Sequence, residues 1–349
     1  MENEFLRVKF NKEGEILSLW DKEFNREVLV EGQRGNHFQL FEDMPGKYDA
    51  WDIVASFADH EIPLSETGTL VLDETGPVRT SLRLEKSFLK SIIKQRISLY
   101  AGTRQLVFET HIIWQERQKL LKVGFPVDIN TSYATYDIAF GNLRRPIHRN
   151  TPYDMAKFEV PAHQWVDLSE GGYGVSLLND CKYGHESNGK LIRLTLLKGS
   201  IYPDPEADLG DHHFTYALYP HPGTWETSQT IQHALNLNQA LTWYSIPSSS
   251  FHSRENAFLQ CNASNVTLEA IKLSEDGKHL VVRLVERENR YTSTSLIFDR
   301  PIGEAWVCDL MENKETQLTQ SDKALQIVLK PYEILTLRVG FSSMTGNQE

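Results

Sequence analysis

Apolar and polar residues alternate with a period of two along most of this chain. Val78-Arg79-Thr80-Ser81-Leu82-Arg83-Leu84, Ile93 to Tyr100 and Leu106 to Ile112 show it most clearly. Such alternation predicts strands with one buried face and one wet face. Phe5 to Phe10 and Ile16 to Trp20 flank Asn11-Lys12-Glu13-Gly14 and predict a hairpin that turns at Gly14. Lys119 to Val127, Gly174 to Leu178, Leu191 to Leu197 and His213 to Tyr219 add further strands. Helical periodicity is weak. The best candidate helix runs from about Trp225 to Leu237, after the Pro222-Gly223 break.

Ser245-Ile246-Pro247-Ser248-Ser249-Ser250 reads as a linker. Six short strands are expected beyond it, over Val266–Leu273, Leu280–Glu286, Ser293–Phe298, Ala305–Leu310, Ala324–Val328 and Ile334–Val339. Their spacing predicts a small sandwich. The fold class is therefore all-β in two lobes. The first is expected over residues 1–247, the small sandwich over 248–341, and a polar, disordered tail over 342–349. The succession of a βαβ barrel is not found.

Composition narrows the function classes. With 36 Lys and Arg against 47 Asp and Glu, the net charge is −11, which argues against a nucleic-acid partner. No apolar run approaches the ~18 residues of a membrane span. Cys181, Cys261 and Cys308 are odd in number and far apart, with neither a disulfide framework nor a Cys-x-x-Cys pattern. Together with an acidic N-terminus unlike a signal peptide, this predicts a cytoplasmic location.

Two segments stand out between the strands: Asn179 to Glu186 and Asp208 to Tyr216. Asp180 beside Lys182 offers an ion pair to orient a sugar hydroxyl, or Asp180 caps backbone amides in a turn. Tyr183 offers a ring face to a sugar or packs into the core. Asp208, Asp211, His212 and His213 carry metal-ligand chemistry. However, His212 and His213 are adjacent and point to opposite faces if they lie in a strand, so no metal ligand is assigned. One His is expected to pack inward, and the other, with Asp211, to face the domain interface. Arg144-Arg145, with His148 and Arg149, is a basic cluster for sugar hydroxyls or partner acids, or a solvated loop; Tyr136 and Phe140 precede it. Trp51 reads as a packing anchor ahead of a recognition residue. Cys181 has only His185 as a nearby base for nucleophilic chemistry.

Several stretches in order also carry a family resemblance. They are Leu40 to Pro45 with Asp49 to Ile53, Leu120 to Val127, Phe140 to Pro146, Gly172 to Gly184, Gly210 to Phe214 and Leu329 to Leu337. Together they resemble the C-terminal, non-barrel region of the family 38 glycoside hydrolases, the α-mannosidases. The resemblance implies a galactose-mutarotase-like supersandwich followed by a small sandwich. It also implies a zinc-dependent retaining enzyme that removes terminal α-mannosides, with zinc and nucleophile in an N-terminal barrel. No catalytic residue and no cofactor are therefore assigned to this chain, which is expected to be inactive alone. It is expected to brace that barrel and complete a cleft for mannose-containing oligosaccharides through Asp180, Lys182, Tyr183, Tyr136, Arg144, Asp211 and His212. An uncovered barrel-facing surface predicts self-association into a homo-oligomer. The alternatives are a stand-alone carbohydrate-binding module, or a mutarotase-like epimerase using His185, His213 and Glu186.

Overall fold

The computed structural model describes residues 1–64, 68–239, 241–245 and 256–342. Residues 246–250 of the expected linker and 343–349 of the expected tail lie outside them. The chain divides into two compact units: Met1–Ile138 with Leu143–Ala240, and Ala139–Asn142 with Leu241–Glu349.

The first unit is built on two large antiparallel sheets. Nine strands form one, in the order Gly141–Pro146, Tyr133–Ile138, Trp165–Ser169, Tyr173–Asn179, Gly210–Pro222, Leu106–Trp114, Ser91–Tyr100, Arg79–Phe88 and Gly68–Thr75. Six form the other: Val160–Pro161, Gly184–Asn188, Leu191–Lys198, Lys119–Pro126, His37–Glu42 and Glu61–Ile62. The alternation read from the sequence is visible here. In Leu106–Trp114, Phe108, Thr110 and Ile112 are buried, while Glu109 is exposed. The inward side chains of both sheets, among them Phe108, Ile112, Val123, Phe125, Leu194 and Tyr216, share one apolar core.

A polar network runs through that core. The Tyr216 hydroxyl donates to Asn36 Oδ1 and accepts from Gln95 Nε2, both at 2.8 Å. Asn36 Nδ2 in turn donates to Gln95 Oε1 at 2.8 Å and to the Gly14 carbonyl at 3.0 Å. Burial pushes the Tyr216 phenol well above its ordinary value, so it stays a neutral donor. Gly14 does lie in the expected hairpin turn, with φ +81°, a conformation that glycine adopts without steric penalty.

The helix is shorter than expected, at Thr230–Asn238. Gln229 has φ +60°, which no helix interior accommodates, so winding begins after it. Trp225 instead packs against Trp165, with ring centroids 5.1 Å apart.

The second unit contains a four-stranded and a five-stranded sheet around its own core, which includes Leu284, Leu296, Leu325 and Leu337. Val266–Leu273 and Leu280–Glu286 match the expected bounds. Leu259–Cys261, Lys314–Gln317 and Gln320–Ser321 add three short strands that are too brief to show alternation. All three cysteines are free. Among the described residues, no helix is long and apolar enough to cross a membrane.

Candidate functional site

An open groove of about 630 Å³ in the first unit is lined by Trp51, Asp52, Phe158, Glu159, Tyr183 and Lys198 among others. Asp49–Trp51 forms one short 3-10 turn of its wall. The buried Asp49 carboxylate accepts the backbone N–H groups of Ile201 (2.7 Å) and Tyr202 (2.8 Å), tying two loops together. Tyr48 lies edge-on between Trp51 and Tyr202, with ring centroids at 6.2 and 5.5 Å. The Trp51 side is 70 % exposed and Tyr183 58 %. Trp51 is thus not the packing anchor expected; Phe57 takes that place, edge-on to Phe41 at 5.0 Å.

Behind the groove lies a buried charge cluster. Lys122, on the central strand Lys119–Pro126, is 0 % exposed and pairs with Glu159, with Glu186 3.8 Å away. Glu186 also holds Arg149 at 2.8 Å and Arg193 at 3.0 Å, and Thr195 Oγ1 donates to Glu159 at 2.8 Å. Lys198 pairs with Asp43, whose carboxyl burial pushes above its ordinary value against the pull of the lysine. Glu159 and Lys198 therefore reach the groove already oriented by partners.

His185 sits in the same layer, fully buried, with Nδ1 3.2 Å from the Tyr183 carbonyl. Burial, reinforced by the positive charge of Lys122, lowers its pKa from 6.5 to about 4, although the Tyr183 carbonyl opposes the shift. The unfolded chain then binds a proton that the fold refuses. Stability is complete above the unfolded value and falls as pH drops toward the folded one. Between about pH 6.5 and 5 the expected loss from this group is on the order of 2 kcal/mol. Urea midpoints over that range should fall, and more gently in His185→Gln; equal slopes in both proteins would remove His185 as the cause.

The candidate residues scatter around this site. Tyr183 lies in the groove. The Asp180 carboxylate accepts the Thr215 N–H at 2.8 Å, so it caps backbone, though on a neighbouring strand and not in its own turn. Lys182 Nζ lies 4.5 Å above the Phe214 ring, and burial lowers its pKa. Tyr136 differs from the expectation: at 2 % exposure it has no face for a ligand, because its ring packs into the apolar core that Ala134 also joins. Arg144 is exposed, with its guanidinium 5.0 Å over the Tyr133 ring. The His212 ring points to the Asp208 carbonyl at 2.7 Å, while Asp211 turns outward to His111 at 2.6 Å. Burial, with the charge of Asp180 beside it, pushes the Cys181 thiol up to about 11, so it stays protonated at neutral pH.

Sequence reasoning missed Glu159, Lys122 and His111. A lysine inside an otherwise apolar strand was the available signal for the first pair. His111 carries no local signal, because its partners lie a hundred residues away.

The profile described as "Glycosyl hydrolases family 38 C-terminal domain" matches residues 1–206, and that of the family 38 C-terminal beta sandwich domain matches 265–337. The chain is 39 % identical to human alpha-mannosidase 2C1 over 97 % of its own length and 33 % of that protein. It is 35 % identical to alpha-mannosidase G of Dictyostelium discoideum, over 97 % of the chain and 32 % of the relative. It thus spans about a third of these relatives. Among solved structures, an alpha-mannosidase from Enterococcus faecalis V583 superposes with TM-score 0.79 at 19 % identity, over 97 % of this chain and 42 % of that one.

Proposed function

This chain belongs to glycosyl hydrolase family 38, as its C-terminal region, and on that premise we propose that it completes the substrate cleft of a retaining, zinc-dependent α-mannosidase. The groove carries this reading. Exposed Trp51 and Tyr183 present ring faces of the kind sugars stack on, next to Glu159 and Lys198, which are fixed by buried partners. In this proposal the groove holds part of a mannose-containing oligosaccharide, and the same face braces the catalytic barrel. The nucleophile and the zinc belong to that barrel, and no step through them is assigned to this chain. Three free thiols fit a reducing, cytoplasmic setting. Self-association belongs to the same reading, through whatever surface the barrel otherwise covers.

The purified chain is expected to leave 4-nitrophenyl α-mannoside intact with or without added zinc; metal-dependent turnover would overturn the proposal. In the complete enzyme, Trp51→Ala should remove about 0.5–1.5 kcal/mol of stacking, roughly a two- to tenfold rise in KM. An unchanged KM would take Trp51 out of the cleft. Mannose binding by the chain alone, lost in Tyr183→Ala, would instead favour a stand-alone binding module.

A further inference from the structure

We propose that His111, Asp211 and His213 form a surface site for a first-row divalent cation of the Zn²⁺ class. The inference is independent of the groove. His213 stands in register with His111 across the pair Gly210–Pro222 and Leu106–Trp114. Directly opposed residues on antiparallel strands bring their Cβ atoms to about 4.5–5.5 Å. Asp211, two residues before His213, shares its face of the sheet. One ligand atom from each of the three lies within 4.8 Å of the others.

Two imidazoles and one carboxylate are the donor set of open zinc sites, with a fourth position left for water. By the usual order of affinities the same set also takes Ni²⁺ and Cu²⁺, whereas Mg²⁺ and Ca²⁺ prefer all-oxygen shells. A plain surface ion pair accounts for His111 Nε2 and Asp211 Oδ1 at 2.6 Å. It does not account for His213, whose ring lies against His111 with centroids 4.1 Å apart and planes 9° from parallel. Parallel rings must swing inward to converge on one ion. Both lie at the wet face of the sheet, where χ2 is broad and the motion is cheap.

The next strand places Lys94 in register with His111, and the strand beyond places Glu85 in register with Lys94. The lysine therefore opposes a cation in the site, and its acidic neighbour sits on the far side. Removing Lys94 should tighten binding, a gain that nonspecific histidine chelation elsewhere on the chain does not produce.

Calorimetric titration of the chelator-stripped chain with ZnCl₂ tests the site, with MgCl₂ as the control. One zinc per chain is expected. Zinc affinity should fall at least tenfold in His213→Ala and in Asp211→Asn, stay unchanged in His212→Ala, and rise in Lys94→Gln. Thermal melts in chelator should be alike for all variants, since none of these side chains is fully buried. Wild-type affinity in His213→Ala, an equal loss in His212→Ala, or magnesium binding as tight as zinc would each overturn the site.

Discussion

Lys122→Ala is expected to cost the fold about 3–5 kcal/mol, the range for breaking one side of a buried ion pair. That is a large share of the roughly 5–15 kcal/mol by which domains are stable. The reason is not the attraction lost but the charge left behind. Lys122 Nζ is wholly enclosed, with Glu159 as its nearer ion partner, Glu186 at 3.8 Å and the Phe57 ring 4.5 Å away. Without it, Glu186 keeps Arg149 and Arg193, but among the described residues Glu159 keeps only the Thr195 hydroxyl. The damage therefore falls on the carboxylate that faces the groove. Lys122→Met should be nearly as harmful despite its matching shape. Adding Glu159→Gln to it should restore most of the loss, because replacing both charges removes the stranded one. Urea unfolding of the two single variants and the double variant measures this. A loss below about 1 kcal/mol in Lys122→Ala would mean that Glu159 rehydrates through the groove.

Tyr216→Ala should cost a similar amount, about 3–5 kcal/mol, for a different reason. It empties ring volume between Phe108 and Phe125, with centroids at 5.0 and 6.1 Å, and breaks the polar network at its centre. Tyr216→Phe separates the two effects. The ring stays, but Asn36 Oδ1 and Gln95 Nε2 lose the hydroxyl, at about 1–3 kcal/mol. Asn36 sits at the foot of the six-stranded sheet's strand His37–Glu42, and Tyr216 and Gln95 are in the nine-stranded sheet. The hydroxyl thus links the two layers through an apolar interior. If Tyr216→Phe melts like the wild type, the network contributes no net stability.

Much of this architecture was legible as periodicity. The strands from Arg79 to Trp114 alternate because each has one wet face, as do Thr292–Phe298 and Ala324–Leu329 of the second unit, whereas Leu280–Glu286 is buried at most positions and reads as an apolar run. The Lys119–Pro126 strand is buried on nearly every residue, so its pattern is a run and Lys122 looks like an interruption. The site was less legible. Tyr183 was found because it sits beside a glycine in a turn-like segment. Trp51 was misjudged because a tryptophan near apolar residues usually packs, and here Phe57 does so instead. Tyr136 and Tyr183 are the same residue type, but Tyr136 lies in a strand buried from Ala134 to Asp137, whereas Tyr183 lies in the loop before Gly184–Asn188 and stays exposed. The roles of Asp180 and Asp211 depend on Thr215 and His111, contacts that exist only once distant strands pair.

The position of Gly210–Pro222 sets the order in which the first unit can be made. Gly68–Thr75 through Leu106–Trp114 pair with sequence neighbours and close short loops, so they can assemble as they are synthesised. Gly210–Pro222 lies between Leu106–Trp114 and Tyr173–Asn179 in the sheet, yet follows both in the chain. Until the ribosome has released it, those two strands each present an unpaired edge, the feature most prone to joining another chain. The last strand of the unit is thus its keystone in time, and a nascent chain stalled before residue 210 carries two open edges where the finished sheet has a seam.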